Sequence, residues 1–170
     1  GWAPVAESFG MPHCKFIFPT APTEAVTLNN GMEMPSWFDL AGLDETSPED
    51  SDRVLSSAAY LASLVQREVD GGIAHDRIVV AGFSQGGAVA LTCGLMMTDS
   101  PVAGIVAAST WLPHAVRPTD VGIKSPLLMC HGTADPVVMF DWGKMSHEKL
   151  VKMGIKSEFK SYKGMDHGFC

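Results

Sequence analysis

No stretch of this chain approaches the roughly 18 consecutive apolar residues that a membrane-crossing helix needs, so no transmembrane span is expected. Basic runs are lacking too: 12 Lys and Arg are scattered among 19 Asp and Glu, for a net charge of −7. Such a surface repels nucleic-acid phosphates and anionic membrane faces. Nucleic acid is therefore excluded as an expected partner, and membrane contact is limited to a transient surface encounter. The four cysteines, Cys14, Cys93, Cys130 and Cys170, form no Cys-x-x-Cys pair and have no metal-ligand spacing. Cys14, Cys93 and Cys130 sit in apolar runs, where a thiol behaves as a small hydrophobe. A reduced, cytoplasmic protein without a metal is expected. No Gly-Lys-Ser/Thr follows the glycine-rich segment, which argues against a phosphate loop. There is no internal repeat, no low-complexity tract and no interdomain linker. The opening Gly-Trp-Ala-Pro lacks an initiator Met, so the natural N-terminus is expected upstream.

What is present is an alternation of short apolar runs with helical patterns. The 170 residues suit one domain and one core. Residues 14–18 (Cys-Lys-Phe-Ile-Phe) predict a buried strand ended by Pro19. Residues 19–46 are rich in Pro, Thr, Asn and Met and read as irregular, though packed through Met32, Met34, Trp37 and Phe38. A helix is expected from Ser47 as N-cap, with Pro48, Glu49 and Asp50 in its first turn. Its apolar face would be Leu55, Ala58, Ala59, Ala62, Val65 and Val69, and Gly71-Gly72 would stop it. Strands are expected at 77–83, 102–109, 126–131 and 157–162, with helices at 85–97 and 140–153. Strands apolar on both faces, alternating with helices, predict an α/β fold built on a mostly parallel sheet with helices on both faces. In such sheets the site lies at the carboxyl ends of the strands.

At one such end stands Gly82-Phe83-Ser84-Gln85-Gly86-Gly87. By composition alone, Gly-x-Ser-x-Gly arises in about one such chain in eight, so context carries the weight. Here an apolar strand precedes it and a small-residue helix follows. That is the setting of a nucleophile elbow, where a strained turn pushes the Ser84 hydroxyl clear of the backbone. The Gln85 N–H at the helix start can then donate to an oxyanion. An alcohol nucleophile needs a His base and a carboxylate to orient it, in the chain order Ser, acid, His. Of the later histidines, His147 lies within a helix and His131 is too close to its strand end. His114, in a loop, stays open on position alone, and His167 follows the last strand. Among acids, Asp99, Asp120 and Asp141 read as helix-end, loop or cap residues, and Asp166 adjoins His167 in sequence. Asp135, just past the strand at 126–131, is the better orienter. The expected set is Ser84, Asp135 and His167.

These segments, together with Pro22 through Asp39, Ser109-Thr110-Trp111-Leu112-Pro113 and Cys130 through Val138, resemble the acyl-protein thioesterase family, the phospholipase/carboxylesterase group of α/β-hydrolases. The resemblance covers essentially all 170 residues. It implies an α/β-hydrolase fold and a serine esterase that works through an acyl-enzyme without cofactor. Its substrates would be S-acylated proteins, lysophospholipids or simple esters. It also implies that Leu28, Met34, Trp37 and Trp111 line an acyl channel, with core packing an equally weighted alternative. Family members carry a first strand and a His-Gly-x-Gly-Asp loop, source of a second oxyanion donor, ahead of the segment matching Gly1-Trp2. They also continue past the catalytic His into a helix. Residues 1–170 are thus expected to be one α/β-hydrolase domain truncated at both ends, with an atypical Gly168-Phe169-Cys170 ending. Loss of an oxyanion donor costs about 10²–10³ in turnover. The alternative to an active esterase is therefore a catalytically impaired acyl-binding or regulatory fragment.

Overall fold

The computed structural model describes residues 2–168; Phe169 and Cys170, and the atypical ending they form, lie outside it. In chain order the elements are helix α1 (Ala3–Ser8), hairpin strands β1 (Thr23–Val26) and β2 (Met32–Pro35), helix α2 (Ser51–Asp70), strand β3 (Val79–Phe83), helix α3 (Gln85–Met96), strands β4 (Gly104–Ala108) and β5 (Leu127–Gly132), helix α4 (Phe140–Lys152) and strand β6 (Ser157–Tyr162). Strands β3-β4-β5-β6 form a parallel sheet in that order. Each step needs a crossover, and α3 and α4 supply two of the three.

Register places Val80, Ile105 and Leu127 in one row and Ala107, Met129 and Phe159 in the next, on the same face. Five of these six are almost wholly buried, because α3 packs over β3 and β4 while α4 packs over β5 and β6. Helix α2 lies against α3. Residues Gly87 to Leu95 of α3 are all buried, as expected for a helix that is apolar all round. Its fit is close: a Cβ on Gly94 would stand 2.5 Å from Ile105 Cδ1. The opposite face of the sheet is covered unequally. Val79 is 56% exposed, whereas Phe83 at the far end of the same strand meets Trp2 beside α1, with ring centroids 5.6 Å apart.

Four local expectations change. Residues 14–18 form no strand, and Phe16, Ile17 and Phe18 are exposed. An apolar run becomes a buried strand only beside a partner, and none pairs with it among the described residues; Phe16 stacks on Phe18 instead. Cys14 is accordingly exposed rather than packed. The segment 19–46 contains the antiparallel hairpin β1–β2, whose turn uses Asn30 and Gly31 at positive φ. Helix α2 begins later than Ser47, because Glu49 is held extended. Glu49 bridges Leu40 and accepts the His114 and Ala115 N–H groups at 2.6 and 3.0 Å. Asp50 becomes the N-cap, accepting from Arg53 N–H. The buried stripe of α2 is Val54, Ser57, Ala58, Leu64 and Val65, while Ala59 is exposed. It is shifted by one position because polar Ser57 occupies a core-facing site, donating to the Trp37 carbonyl.

Two predictions follow from burial and hydrogen bonding. Burial pushes the Cys93 thiol up to about 12, far above the range where a thiolate forms. Iodoacetamide at about pH 8 should alkylate Cys14 in the native chain and spare Cys93 until denaturant is added, as read by peptide mass mapping. Just after β1, in the connection of the hairpin, the Thr27 hydroxyl and N–H both donate to Asp39, at 2.6 and 2.8 Å. The hydroxyl bond is the leading cause of an Asp39 carboxyl held below its ordinary value. A depressed carboxylate stabilises the fold above its unfolded value of about 3.9, and the effect is lost as pH falls through the folded value. The Thr27 amide resonance should therefore shift below about pH 4, and Asp39→Asn should give the same shift at neutral pH.

Candidate functional site

Where β3 meets α3, Ser84 adopts φ +52° and ψ −123°. A non-glycine residue held there costs about 1–3 kcal/mol and persists only when its surroundings impose it. They do so here: Ser84 N–H donates to Ala108 O at 2.8 Å, and Ser84 O accepts from Gly87 N–H at 2.9 Å and from the Thr110 hydroxyl at 2.7 Å. The neighbouring glycines are steric necessities. A Cβ on Gly82 would lie 2.0 Å from Gly86 O, and one on Gly87 would lie 2.8 Å from Thr110 Cβ. The Ser84 hydroxyl makes no cap to α3, so it stays available at the carboxyl end of the sheet.

Past β5 the chain turns sharply around Asp135, which is 4% exposed. Asp135 Oδ1 accepts the N–H groups of Val137 and Val138, both at 2.9 Å. Its other oxygen lies 2.8 Å from His167 Nδ1. The loop bearing His167 is docked onto this turn: Thr133 N–H reaches Tyr162 O, Ala134 N–H reaches Met165 O, and Gly164 N–H reaches the Thr133 hydroxyl. Gly132 permits the approach, since a Cβ there would stand 2.3 Å from Met165 O. An ionised carboxylate only accepts, so opposite it His167 carries its proton on Nδ1 and leaves the lone pair of Nε2 free. The His167 ring packs on Phe83, centroids 4.7 Å apart, which sets it beside the elbow. Asp135 and His167 are thus brought together directly. Ser84 follows in sequence the Phe83 that His167 touches, and makes no hydrogen bond to His167 in this conformation; such bonds are often long before substrate arrives.

Gln85, at the first position of α3, turns its side chain toward residues 36–38. Its Oε1 accepts Trp37 N–H at 2.9 Å, and its Nε2 donates to Ser36 Oγ at 2.9 Å and to Phe38 O at 2.7 Å. The half-buried Trp37 indole lies over Gly86, 4.0 Å from where a Cβ would be. Trp111 is 5% exposed, between Phe38 (centroids 6.2 Å, edge-on) and Trp142 (4.7 Å, stacked). The cavity it helps to line measures only about 20 Å³, so its surface goes to packing. Leu28 and Met34 are exposed on and beside the hairpin, away from the core.

One residue of this region was not anticipated as part of the site. His131 is buried, with Nε2 2.8 Å from Val138 O and 3.5 Å from Asp135 Oδ2. A carbonyl only accepts, so Nε2 carries the proton; Nδ1 has no partner and faces Gly143 of α4. The apolar run before it signalled burial, but only the turn at 135–138 reveals what it touches. His114 is exposed against Glu45 O, and His147 packs on Phe159, each remote from Asp135 in its bonding. Among the described residues, no group of three His, Cys, Asp or Glu is placed to hold a metal ion, and no helix is long and apolar enough to cross a membrane.

Comparison with known proteins places the chain in a family. The family model described as phospholipase/carboxylesterase matches residues 1–170. Acyl-protein thioesterase 1 of Neurospora crassa is 39% identical over all of this chain and 75% of its own length. Its counterpart in Gibberella zeae is 41% identical over 98% of this chain and 77% of its own. Among solved structures, SOBER1 of Arabidopsis thaliana superposes with a TM-score of 0.94 at 30% identity, covering 99% of this chain and 84% of its own. Acyl-protein thioesterase 2 of Zea mays does so with 0.85 at 30% identity, covering 99% and 80%.

The elbow's dependence on glycine is testable by itself. Gly82→Ala should force the β3–α3 turn apart and lower stability by about 1–3 kcal/mol, as overpacking of tight sites does. Urea denaturation would read this, with Gly104→Ala, whose Cβ would meet Pro126 O at an ordinary 3.8 Å, as a control expected to change it far less.

Proposed function

Because the chain belongs to the phospholipase/carboxylesterase family of α/β-hydrolases, we propose that it cleaves long-chain acyl thioesters and esters with Ser84 as nucleophile, His167 as base and Asp135 as orienter. The observation that carries this reading is the 2.8 Å contact between His167 and a buried Asp135, beside a serine held at positive φ. His167 Nε2 takes the proton of Ser84 as its oxygen attacks the acyl carbonyl. The oxyanion gathers at the N-terminus of α3, where the Gln85 N–H and the helix dipole favour negative charge. His167, now protonated, is steadied by the Asp135 carboxylate. That carboxylate cannot swing away, because Val137 and Val138 hold its other oxygen. The same proton passes to the leaving thiolate or alkoxide, leaving an acyl-Ser84. A water activated by His167 then releases the fatty acid.

The substrates follow from the relatives' names and from the apolar surface near the elbow, where Trp37 stands. S-acylated proteins, lysophospholipids and simple carboxylic esters present the same acyl carbonyl to Ser84. A cytoplasmic setting accords with the free thiols of Cys14 and Cys93.

A fluorophosphonate probe should label the folded chain stoichiometrically at Ser84, and Ser84→Ala should remove the label. Hydrolysis of p-nitrophenyl octanoate should fall at least ~10⁴-fold in Ser84→Ala, and roughly 10³–10⁴-fold in Asp135→Asn, which leaves the imidazole in the wrong tautomer. A folded wild-type chain that takes no probe would refute the esterase reading and favour an acyl-binding role.

A further inference from the structure

The Gln85 side chain forms a clamp whose geometry the esterase reading does not require. The position after the nucleophile contributes its backbone N–H, and many side chains would serve for that. Here, however, the side-chain amide is engaged at both ends by one short segment: Trp37 N–H on its oxygen, Ser36 Oγ and Phe38 O on its nitrogen. Both N–H donors of the amide are used. The Ser36 hydroxyl is itself committed to Phe38 O at 2.7 Å, so it faces Gln85 with a lone pair. Only an amide matches this pattern. A carboxylate would oppose Phe38 O with a second acceptor, and an apolar side chain would leave Trp37 N–H unpaired.

The clamp also fixes a particular side chain. Trp37 is held at its N–H by Gln85 and at its carbonyl by the Ser57 hydroxyl of α2. The next residue, Phe38, is 2% exposed and packed edge-on to Trp111. With its backbone pinned on both sides, the Trp37 indole is held over Gly86, two residues from the nucleophile, and leans on Tyr60 at 6.3 Å. A rigid aromatic wall at that point is what an extended acyl chain leaving the Ser84 carbonyl would meet, and a two-carbon acyl group would not reach along it.

We infer that Gln85 is a positioning residue for acyl-chain selectivity: its side-chain amide locks the 36–38 segment so that Trp37 forms one wall of the acyl site beside Ser84. The inference rests on Ser84 being the nucleophile of an acyl hydrolase. Removing the clamp frees Trp37, lowering affinity for long chains far more than the response to short ones.

The test compares wild type, Gln85→Glu, Gln85→Met, Ser57→Ala and Trp37→Leu, using p-nitrophenyl acetate and decanoate for kcat/KM. Binding of butyrate and decanoate, followed by tryptophan fluorescence, gives a readout that needs no turnover. Gln85→Glu and Gln85→Met should each reduce the decanoate-to-acetate ratio of kcat/KM, and the decanoate-to-butyrate ratio of affinities, by about tenfold, the worth of one or two buried hydrogen bonds. The loss should fall mainly on KM. Ser57→Ala, which loosens the same segment from its other side, should move both ratios in the same direction and guards against misfolding of the Gln85 variants. In a Trp37→Leu background, Gln85→Glu should change neither ratio further. Equal losses on short and long substrates, or an unchanged ratio with Gln85→Glu folded, would overturn the inference. So would an undiminished chain-length preference in Trp37→Leu. Failure of the nucleophile reading shows separately, as ester hydrolysis that survives Ser84→Ala.

Discussion

At Ser84 the main chain passes through a conformation that costs free energy for any residue with a Cβ, and much of the surrounding structure can be understood as what holds it there. The hydrogen bonds from Ser84 N–H to Ala108 O and from the Thr110 hydroxyl to Ser84 O tie the turn to β4 and the residues after it. The glycines at 82 and 87 remove the atoms that would collide with Gly86 O and Thr110. Helix α3 must lie close against the sheet for the turn to be so tight, and the absence of side chains at Gly87 and Gly94 lets it do so. The small-residue composition of α3 and the strain at Ser84 are therefore one constraint seen at two scales. Burial of α3 on every side supplies the apolar free energy that keeps the strained turn closed.

A second constraint is electrostatic. Asp135 is a nearly inaccessible carboxylate, and a buried charge is tolerable only when paired and hydrogen-bonded. Two backbone N–H groups and the His167 imidazole meet that need, with His131 close by. Because the backbone amides come from the carboxylate's own turn, the acid is fixed before His167 arrives. The docking of the 163–167 loop on Gly132 and Thr133 then sets the imidazole. Orientation in this site comes from backbone groups of short turns, with little left to side-chain freedom.

Much of this was legible in the chain itself. The strand–Gly-x-Ser-x-Gly–helix pattern located the elbow because its steric demands are local. Asp135 and His167 were expected as partners from their positions after apolar strands; the two lie 2.8 Å apart, and those strands appear within one or two residues of where they were expected. The misplaced elements share one cause. Residues 14–18 look like a strand from composition, but pairing needs a neighbour, and periodicity cannot say whether one exists. The start of α2 moved because Glu49 is drawn to the amides of His114 and Ala115, more than sixty residues away. Ser57 took a core-facing place because a carbonyl in the 36–38 segment awaited its hydroxyl.

Ser84 shows the same division. The residues from Ile78 to Gly87 by themselves determined that a serine would stand on a sharp strand-to-helix turn, since glycine placement and apolar patterning act over a few bonds. Its surroundings were decided only by the tertiary structure. Trp111 went to the core while Trp37 came to lie over Gly86, although both are tryptophans in apolar stretches. Gln85 and His131, ordinary polar residues in the sequence, gained partners 47–49 and 4–7 positions away. Hydrogen bonds are directional and short, so which donor meets which acceptor is settled only when distant segments of backbone are packed into place.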